Sequence, residues 1–132
     1  MKKVLIIDDD ATFQKTITET LKAISLDVIS AFDGAEGLAR ALTEKPDLIL
    51  LDIKMPKLGG LDFLKQLQEK SGGSQPIPVL ITSNISSAEN ISEGVALGIK
   101  GYIVKSDESL DTIVGHVQAL LAPKKNTGPV AS

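Results

Sequence analysis

The chain has 132 residues, of which 42% are apolar and 23% are charged, and this balance favours one globular domain with a single core. A formal net charge of −3 at pH 7 argues against a nucleic-acid or acidic-membrane surface built from excess positive charge. The absence of cysteine excludes disulfides and thiolate metal sites and suits a reducing cytoplasm, and no apolar run approaches the ~18 residues of a membrane helix.

Short apolar runs recur along the chain and are predicted to be β-strands. In order they are Val4–Ile7, Val28–Ala31, Leu48–Leu51, Val79–Ile81 and Tyr102–Val104. The first, third and fourth are apolar at consecutive positions, which is typical of strands covered on both faces. This pattern predicts a parallel sheet with helices packed on both sides.

Helical periodicity follows each of these runs and predicts five helices. Their apolar positions are Phe13, Ile17, Leu21 and Ile24 in the first, Leu38, Ala41 and Leu42 in the second, Leu61, Leu64 and Leu67 in the third, Ala88, Ile91 and Val95 in the fourth, and Leu110, Ile113, Val117 and Leu120 in the fifth. Gly98 is expected to cap the fourth helix and Pro123 to end the fifth.

The alternation of five strands with five helices predicts a doubly wound α/β fold with right-handed crossovers. Residues 1–122 are predicted to form the domain, and residues 123–132 a flexible tail, because the tail has little apolar surface to bury. Ligands of such folds bind beyond the carboxyl ends of the strands. The residues at those ends are therefore the candidates for function.

Acidic, hydroxyl and basic side chains stand at these strand ends. They are Asp8, Asp9 and Asp10 after the first strand, Asp52 after the third, Thr82 and Ser83 after the fourth, and Lys105 after the fifth. Clustered carboxylates repel one another, and a hard divalent cation such as Mg²⁺ would relieve that repulsion. Thr82 and Lys105 could then bind phosphoryl oxygens. Together these groups favour phosphoryl transfer onto a carboxylate oxygen.

Each of these residues also has a plainer interpretation. Asp10 could simply cap the helix that starts near Ala11, Asp52 could be a turn residue, and Lys105 could be a solvated surface lysine. Those interpretations do not explain why acid, hydroxyl and ammonium groups all fall at strand ends. The combination supports the functional hypothesis.

Four segments resemble the receiver domain of bacterial two-component response regulators. They read VLIIDDD at 4–10, DLILLDIKMP at 47–56, PVLITS at 78–83 and GYIVK at 101–105. The resemblance extends from Lys3 to about Leu121. It implies a flavodoxin-like fold, a five-stranded parallel sheet in the order 2-1-3-4-5.

The resemblance also implies a role for each site residue. Asp52 matches the phosphoacceptor, which takes a phosphoryl group from a phosphohistidine on a sensor kinase or phosphotransfer protein. The residues implied to hold Mg²⁺ or Mn²⁺ are Asp8, Asp9, Asp52 and the backbone carbonyl of Lys54. Thr82 and Lys105 match the groups that bind the phosphoryl oxygens, and Tyr102 matches an aromatic that changes rotamer during switching.

A cytoplasmic signalling switch, not an enzyme acting on other molecules, is the function that this resemblance implies. In the family, phosphorylation remodels the face made by the fourth helix, fifth strand and fifth helix, which binds a downstream protein. No nucleic acid or membrane is expected to bind this domain.

Two positions depart from the usual family pattern. Ser106 stands where a proline in a cis peptide is common, so we expect a trans peptide after Lys105. Ser83 stands where alanine or glycine is usual, and its larger side chain should slightly narrow access to the phosphoryl group.

Two other functions are compatible with parts of the sequence. Asp8 to Thr12 fits the DxDxT pattern of haloacid-dehalogenase-type phosphatases, with Asp8 as nucleophile and Asp10 as acid/base. That hypothesis leaves Asp52 without a role and needs Asp111 to follow a strand. The second alternative is a receiver-like binding module that is not phosphorylated, although such modules usually lack one of the acids or the lysine.

Overall fold

The computed structural model describes residues 1–55, 57–70, 77–84 and 88–122. Over these ranges, strands and helices alternate along the whole chain. The elements are β1 (Lys3–Ile7), α1 (Ala11–Ala23), β2 (Asp27–Ala31), α2 (Gly34–Glu44), β3 (Leu48–Leu51), α3 (Gly60–Lys70), β4 (Val79–Ser83), α4 (Ala88–Ala96), β5 (Gly101–Val104) and α5 (Leu110–Leu121). No helix in this part of the chain has the length and apolar character of a membrane span.

The five strands form one parallel sheet in the order β2-β1-β3-β4-β5, which confirms the predicted fold. The chain leaves β1 towards one edge of the sheet, to β2, and then returns past β1 to build β3, β4 and β5. Strand order therefore reverses between β1 and β3. A crevice forms at the carboxyl ends of the strands on either side of such a reversal.

Both faces of the sheet are buried, as the consecutive apolar residues predicted. One face packs against α2 and α3 around Phe63, and the other packs against α1 and α5 around Ile17 and Val117. Every residue of β1 from Val4 to Ile7 and every residue of β3 is fully buried. The residues that directly follow these two strands therefore start from a fully buried part of the sheet.

The predicted helix faces are wrong at three positions. Ile24, Leu42 and Val95 were assigned to apolar stripes, but they are 38%, 37% and 62% exposed. Ile24 lies just beyond the end of α1, and Leu42 is one position past the buried Ala41. In α4 the buried position is Gly94, which leaves the neighbouring Val95 in solvent. Periodicity located the helices correctly, but an error of one residue rotates the assigned face of a helix by 100°.

The predicted cap of α4 is confirmed. Gly98 has φ +90, the left-handed conformation that glycine adopts without penalty. The N–H of Gly98 donates to the carbonyl of Val95 at 3.0 Å, and the N–H of Ile99 donates to that of Gly94 at 3.1 Å. This pair of bonds is a Schellman motif.

The other end of the domain is only partly described. α5 ends at Leu121, so the described helix stops before Pro123. The predicted tail, residues 123–132, lies outside the described residues. The assignment of residues 1–122 to one domain and the rest to a tail stays a prediction.

Candidate functional site

Three carboxylates meet at the strand reversal. Asp8, Asp9 and Asp52 each offer a carboxylate oxygen, and these atoms all lie within 4.8 Å of one another. Asp8 and Asp52 directly follow the neighbouring strands β1 and β3, and the N–H of Asp52 donates to the carbonyl of Ile7 at 2.9 Å. Asp8 and Asp52 are 1% and 7% exposed, whereas Asp9 is exposed. The cluster therefore has a buried floor and one solvent-facing acid.

Lys105 neutralises the buried part of this cluster. It directly follows β5, and its Nζ lies 2.5 Å from Oδ2 of Asp8. The same Nζ lies 4.3 Å from the centre of the Phe13 ring, a distance at which a cation is attracted to an aromatic face. Lys105 is thus held by Asp8 and Phe13 and forms no ion pair with Asp52 among the described contacts.

The electrostatics of the site oppose full ionisation. Burial and, to a smaller extent, the nearby Asp8 carboxylate raise the pKa of Asp52 to about 6, even though Lys105 acts to lower it. Burial also raises the pKa of Asp8, although the bond from Lys105 and the N–H of Asp10 oppose that rise. The metal-free site therefore carries more negative charge than Lys105 can neutralise. All three clustered donors are carboxylate oxygens, a set that suits a hard divalent cation.

A cleft opens above the cluster. Its lining residues are Asp9, Asp10, Asp52, Lys54, Ser83, Asn84 and Lys105. Thr82, which pairs with Ile103, is buried and is not among them. The last residue of β4, Ser83, lines the cleft together with Asp52. The strand that was predicted to end at Ile81 extends to Ser83, so Thr82 and Ser83 are its last two residues.

Asp10 caps the first helix, as the plainer interpretation of this residue predicted. It is the N-cap of α1, and its Oδ1 accepts the N–H groups of Thr12 and Phe13 at 3.0 and 3.1 Å. Its own N–H donates to Oδ1 of Asp8 at 2.9 Å. Asp10 therefore caps the helix and orients Asp8.

The loop after β3 is fixed against Asp52. The backbone N–H of Lys54 acts to lower the pKa of Asp52, and the Lys54 side chain lines the cleft. Helix α3 then begins directly on the backbone of Asp52, since a Cβ added to Gly60 would lie 2.6 Å from the Asp52 carbonyl oxygen. Glycine is required at this close approach.

The peptide bond after Lys105 has the trans geometry that the sequence predicted. No described residue follows a cis peptide bond, so the Lys105–Ser106 peptide is trans. The N–H of Lys105 donates to the carbonyl of Ser83 at 2.8 Å, which continues the β4–β5 pairing past the strand end. Lys105 is therefore placed by the sheet without a proline after it.

Gln14 supports the site and was missed by sequence reasoning. It is 2% exposed, and its Nε2 donates to the carbonyls of Ile6, Asp8 and Ala31 at 3.0, 3.2 and 2.7 Å. These carbonyls lie at the carboxyl ends of β1 and β2. A polar residue one position away from the apolar stripe of α1 was the only available signal, and many exposed residues share that feature.

Removing the Gln14 amide should weaken the fold. We expect Gln14→Leu to lower the free energy of unfolding by about 1–3 kcal/mol, because three carbonyls at the strand ends lose a hydrogen-bond donor. Gln68→Leu is the matched control, since Gln68 donates to the Leu97 carbonyl at an exposed site. Urea denaturation of both variants measures the difference, and equal costs would contradict the assigned role of Gln14.

Comparison with known proteins identifies similar chains. A family model described as the response regulator receiver domain matches residues 4–118. The alkaline phosphatase synthesis transcriptional regulatory protein PhoP of Bacillus subtilis is 36% identical over 128 residues, which cover 97% of this chain and 52% of PhoP. A protein-glutamate methylesterase/protein-glutamine glutaminase of Archaeoglobus fulgidus is 34% identical over 122 residues, which cover 90% of this chain and 34% of that protein.

A solved structure shares the whole fold. CheY4, a chemotaxis response regulator of Vibrio cholerae, is similar with a TM-score of 0.82 at 32% identity. The match covers 92% of this chain and 99% of CheY4. The chain thus spans nearly all of CheY4 but only about half or less of the curated relatives described above.

Proposed function

Because this chain belongs to the response regulator receiver family, whose members accept phosphoryl groups in two-component signalling, we propose that Asp52 is its phosphoacceptor. One observation carries this assignment. Asp52 is the buried member of the carboxylate cluster that also lines the open cleft at the strand reversal, whereas Asp9, which shares both positions, is exposed. Asp8 is sealed beneath Lys105, and Asp10 is used as a helix cap.

The proposed reaction transfers a phosphoryl group from a phosphohistidine on a sensor kinase or phosphotransfer protein. An oxygen of the Asp52 carboxylate attacks phosphorus, the phosphorus–nitrogen bond breaks, and the imidazole nitrogen retains the electron pair and takes up a proton. The product is an acyl phosphate on Asp52. The chain catalyses only this change in itself and the later loss of the phosphoryl group.

Asp8, Asp9, Asp52 and the backbone carbonyl of Lys54 would hold Mg²⁺ or Mn²⁺ in this proposal. The divalent cation would neutralise the acids and the phosphoryl oxygens. Lys105 would donate to one phosphoryl oxygen as a point charge, and the hydroxyl of Thr82 would move to donate to another. The exposed Asp9 is better placed than the sealed Asp8 to bind the cation directly.

Phosphorylation would change the surface that partners bind. The phosphoryl group adds roughly −1.5 to −2 charge to the pocket, and it shifts conformations only through contacts that differ between them. Tyr102, on β5, connects the site to the face made by α4, β5 and α5, which we assign to a downstream protein in the cytoplasm. A regulator of transcription and a methylesterase are both relatives, so the output belongs to whichever partner or domain the receiver controls.

The phosphatase alternative has little support from the geometry. Asp111, which that mechanism requires after a strand, lies in the first turn of α5. Asp10 caps α1 through its side chain, so the proposed acid/base is already occupied. The receiver assignment also gives Asp52 a role.

Intact-mass spectrometry tests the proposal. After incubation with acetyl phosphate and Mg²⁺, the wild type should gain the mass of one phosphoryl group, and Asp52→Asn should gain none. The gain should disappear when EDTA replaces Mg²⁺. An equal gain in Asp52→Asn would assign the phosphorylation elsewhere, and no gain in either protein would favour an unphosphorylated binding module.

A further inference from the structure

Phe13 places an aromatic ring against the ammonium that the proposed reaction uses. The Nζ atom of Lys105 lies 4.3 Å from the centre of this ring, within the range at which an aromatic face attracts a cation. The ring is half-buried and packs against the core cluster that contains Ile17 and Val117, and the Lys105 side chain is only 10% exposed. Water therefore screens this attraction less than it would on an open surface.

The ring and the acid that hold Lys105 belong to one short segment with defined internal contacts. Asp10, the N-cap of α1, accepts the N–H of Phe13 at 3.1 Å. The N–H of Asp10 in turn donates to Oδ1 of Asp8 at 2.9 Å. Asp8 and Phe13 are therefore fixed relative to each other, and both contact the same ammonium.

A divalent cation affects the two contacts of Lys105 differently. A cation bound to the carboxylate cluster competes with Lys105 for the charge of Asp8. The Phe13 ring offers no oxygen ligand to a hard cation, so the contact between the ring and Lys105 is free of this competition. The ammonium has three N–H donors, and contact with the ring face leaves donors for an oxygen in the cleft that Lys105 lines.

We propose that Phe13 is a positioning residue, whose ring holds the Lys105 ammonium at the cleft when a divalent cation occupies the carboxylate cluster. The inference rests on the proposed function, in which Lys105 donates to a phosphoryl oxygen. It assigns to Phe13 a role that leucine could not perform, since an aliphatic side chain has no negative face to attract a cation.

Graded fluorination of the ring tests this role with little change in the size of the side chain. Fluorine withdraws electron density from the ring face and weakens its attraction for a cation, so the series separates that attraction from packing. Monofluorophenylalanine and trifluorophenylalanine are incorporated at position 13, and the same substitutions at Phe32 are the matched control. Phe32 is 45% exposed, and no cation lies over its ring in the described part of the chain.

The rate constant for phosphorylation of Asp52 by acetyl phosphate and Mg²⁺, followed by intact mass, is the first measurement. It should fall stepwise with fluorination at position 13, to about a third to a tenth of the wild-type value for the trifluorinated ring. The same series at Phe32 should leave the rate constant unchanged. In the Lys105→Met background, fluorination at position 13 should have no effect, because the cation that the ring attracts is missing.

A second measurement needs no phosphorylation. The ring current of Phe13 should displace the ¹H resonance of the Lys105 Cε methylene, which is assigned by its loss in Lys105→Met. We expect this displacement in the wild type both in EDTA and in saturating Mg²⁺, and we expect it to be lost in Phe13→Leu under both conditions.

Failure of the proposed function and failure of this inference are distinguishable. If the wild type gains no phosphoryl group on Asp52, the proposed function fails and the role of Phe13 fails with it. If Asp52 is phosphorylated but the rate constant ignores fluorination at position 13, or follows it equally in Lys105→Met, the proposed function stands and Phe13 contributes only packing. If Mg²⁺ abolishes the displacement of the Lys105 resonance, the ammonium leaves the ring when the metal binds, and Phe13 does not position it.

Discussion

Asp52→Asn should stabilise the metal-free protein at neutral pH by about 1–3 kcal/mol. Burial, together with the neighbouring Asp8, raises the pKa of Asp52 from 3.8 to about 6. A difference of about two pKa units corresponds to roughly 3 kcal/mol against the ionised form in the folded state. Asparagine has nearly the same shape and carries no charge, so the variant avoids this cost.

The pH dependence of this stabilisation has a defined sign. The folded protein binds a proton at Asp52 more tightly than the unfolded chain, so wild-type stability falls as pH rises from about 4 to about 6. Above that range the loss is complete and constant. The advantage of Asp52→Asn should therefore be largest above pH 6 and should disappear near pH 4.

Urea denaturation in EDTA at pH 4.5 and pH 7.5 measures this effect. Asp27→Asn is the matched control, because Asp27 is exposed at the opposite edge of the sheet, where β2 begins. Asp27→Asn should change the free energy of unfolding by less than about 0.5 kcal/mol at both pH values, as is usual for surface substitutions. An Asp52→Asn variant that is no more stable than wild type at pH 7.5 would show that the site tolerates the charge of Asp52.

The fold was predictable because its determinants are local. Consecutive apolar residues in Val4–Ile7 and Leu48–Leu51 identified doubly covered strands, and the strand ends then placed Asp8 and Asp52 at one edge. The geometry brings these acids together with Lys105, as parallel strands require. Periodicity could not fix helix rotation to within one residue, which is why Val95 was assigned to the buried face.

The supporting contacts of the site were not predictable in this way. Phe13 was assigned to the core, yet its ring also faces the Lys105 ammonium. Gln14 reaches carbonyls of two strands, and Ser83 lines the cleft together with Asp52 and Lys105. Each of these contacts joins segments far apart in sequence, and the residue types involved are common in ordinary helices and strands.

The position of Lys105 predicts a second large effect, on metal affinity. Its ammonium lies 2.5 Å from Oδ2 of Asp8 and so competes with a divalent cation for the same acid. Two unit charges about 4 Å apart interact by about 1 kcal/mol even in water, and a divalent cation doubles that repulsion. Lys105→Met, which keeps the length of the side chain without its charge, should bind Mg²⁺ about tenfold more tightly.

The same variant should be less stable without metal. Asp8 is 1% exposed, and loss of its cationic partner leaves a buried carboxylate unpaired, which costs up to about 3–5 kcal/mol when such a pair is broken. Protonation of Asp8, whose pKa burial already raises, reduces that cost. We expect a loss of about 1–3 kcal/mol in EDTA, and saturating Mg²⁺ should restore part of it because it binds only the folded protein.

Isothermal titration calorimetry with Mg²⁺ at pH 7.5 separates these effects, with Lys54→Met as the matched control. The Lys54 side chain also lines the cleft but pairs with none of the described acids, and its proposed metal ligand is a backbone carbonyl, so its affinity should change less than threefold. Tighter Mg²⁺ binding in Lys105→Met, with slower phosphorylation by acetyl phosphate, would mean that Lys105 restrains the metal and serves the phosphoryl group. Weaker binding would instead mean that Lys105 orders Asp8 for the metal. The Lys105 ammonium would then assist Mg²⁺ binding and would not compete with it.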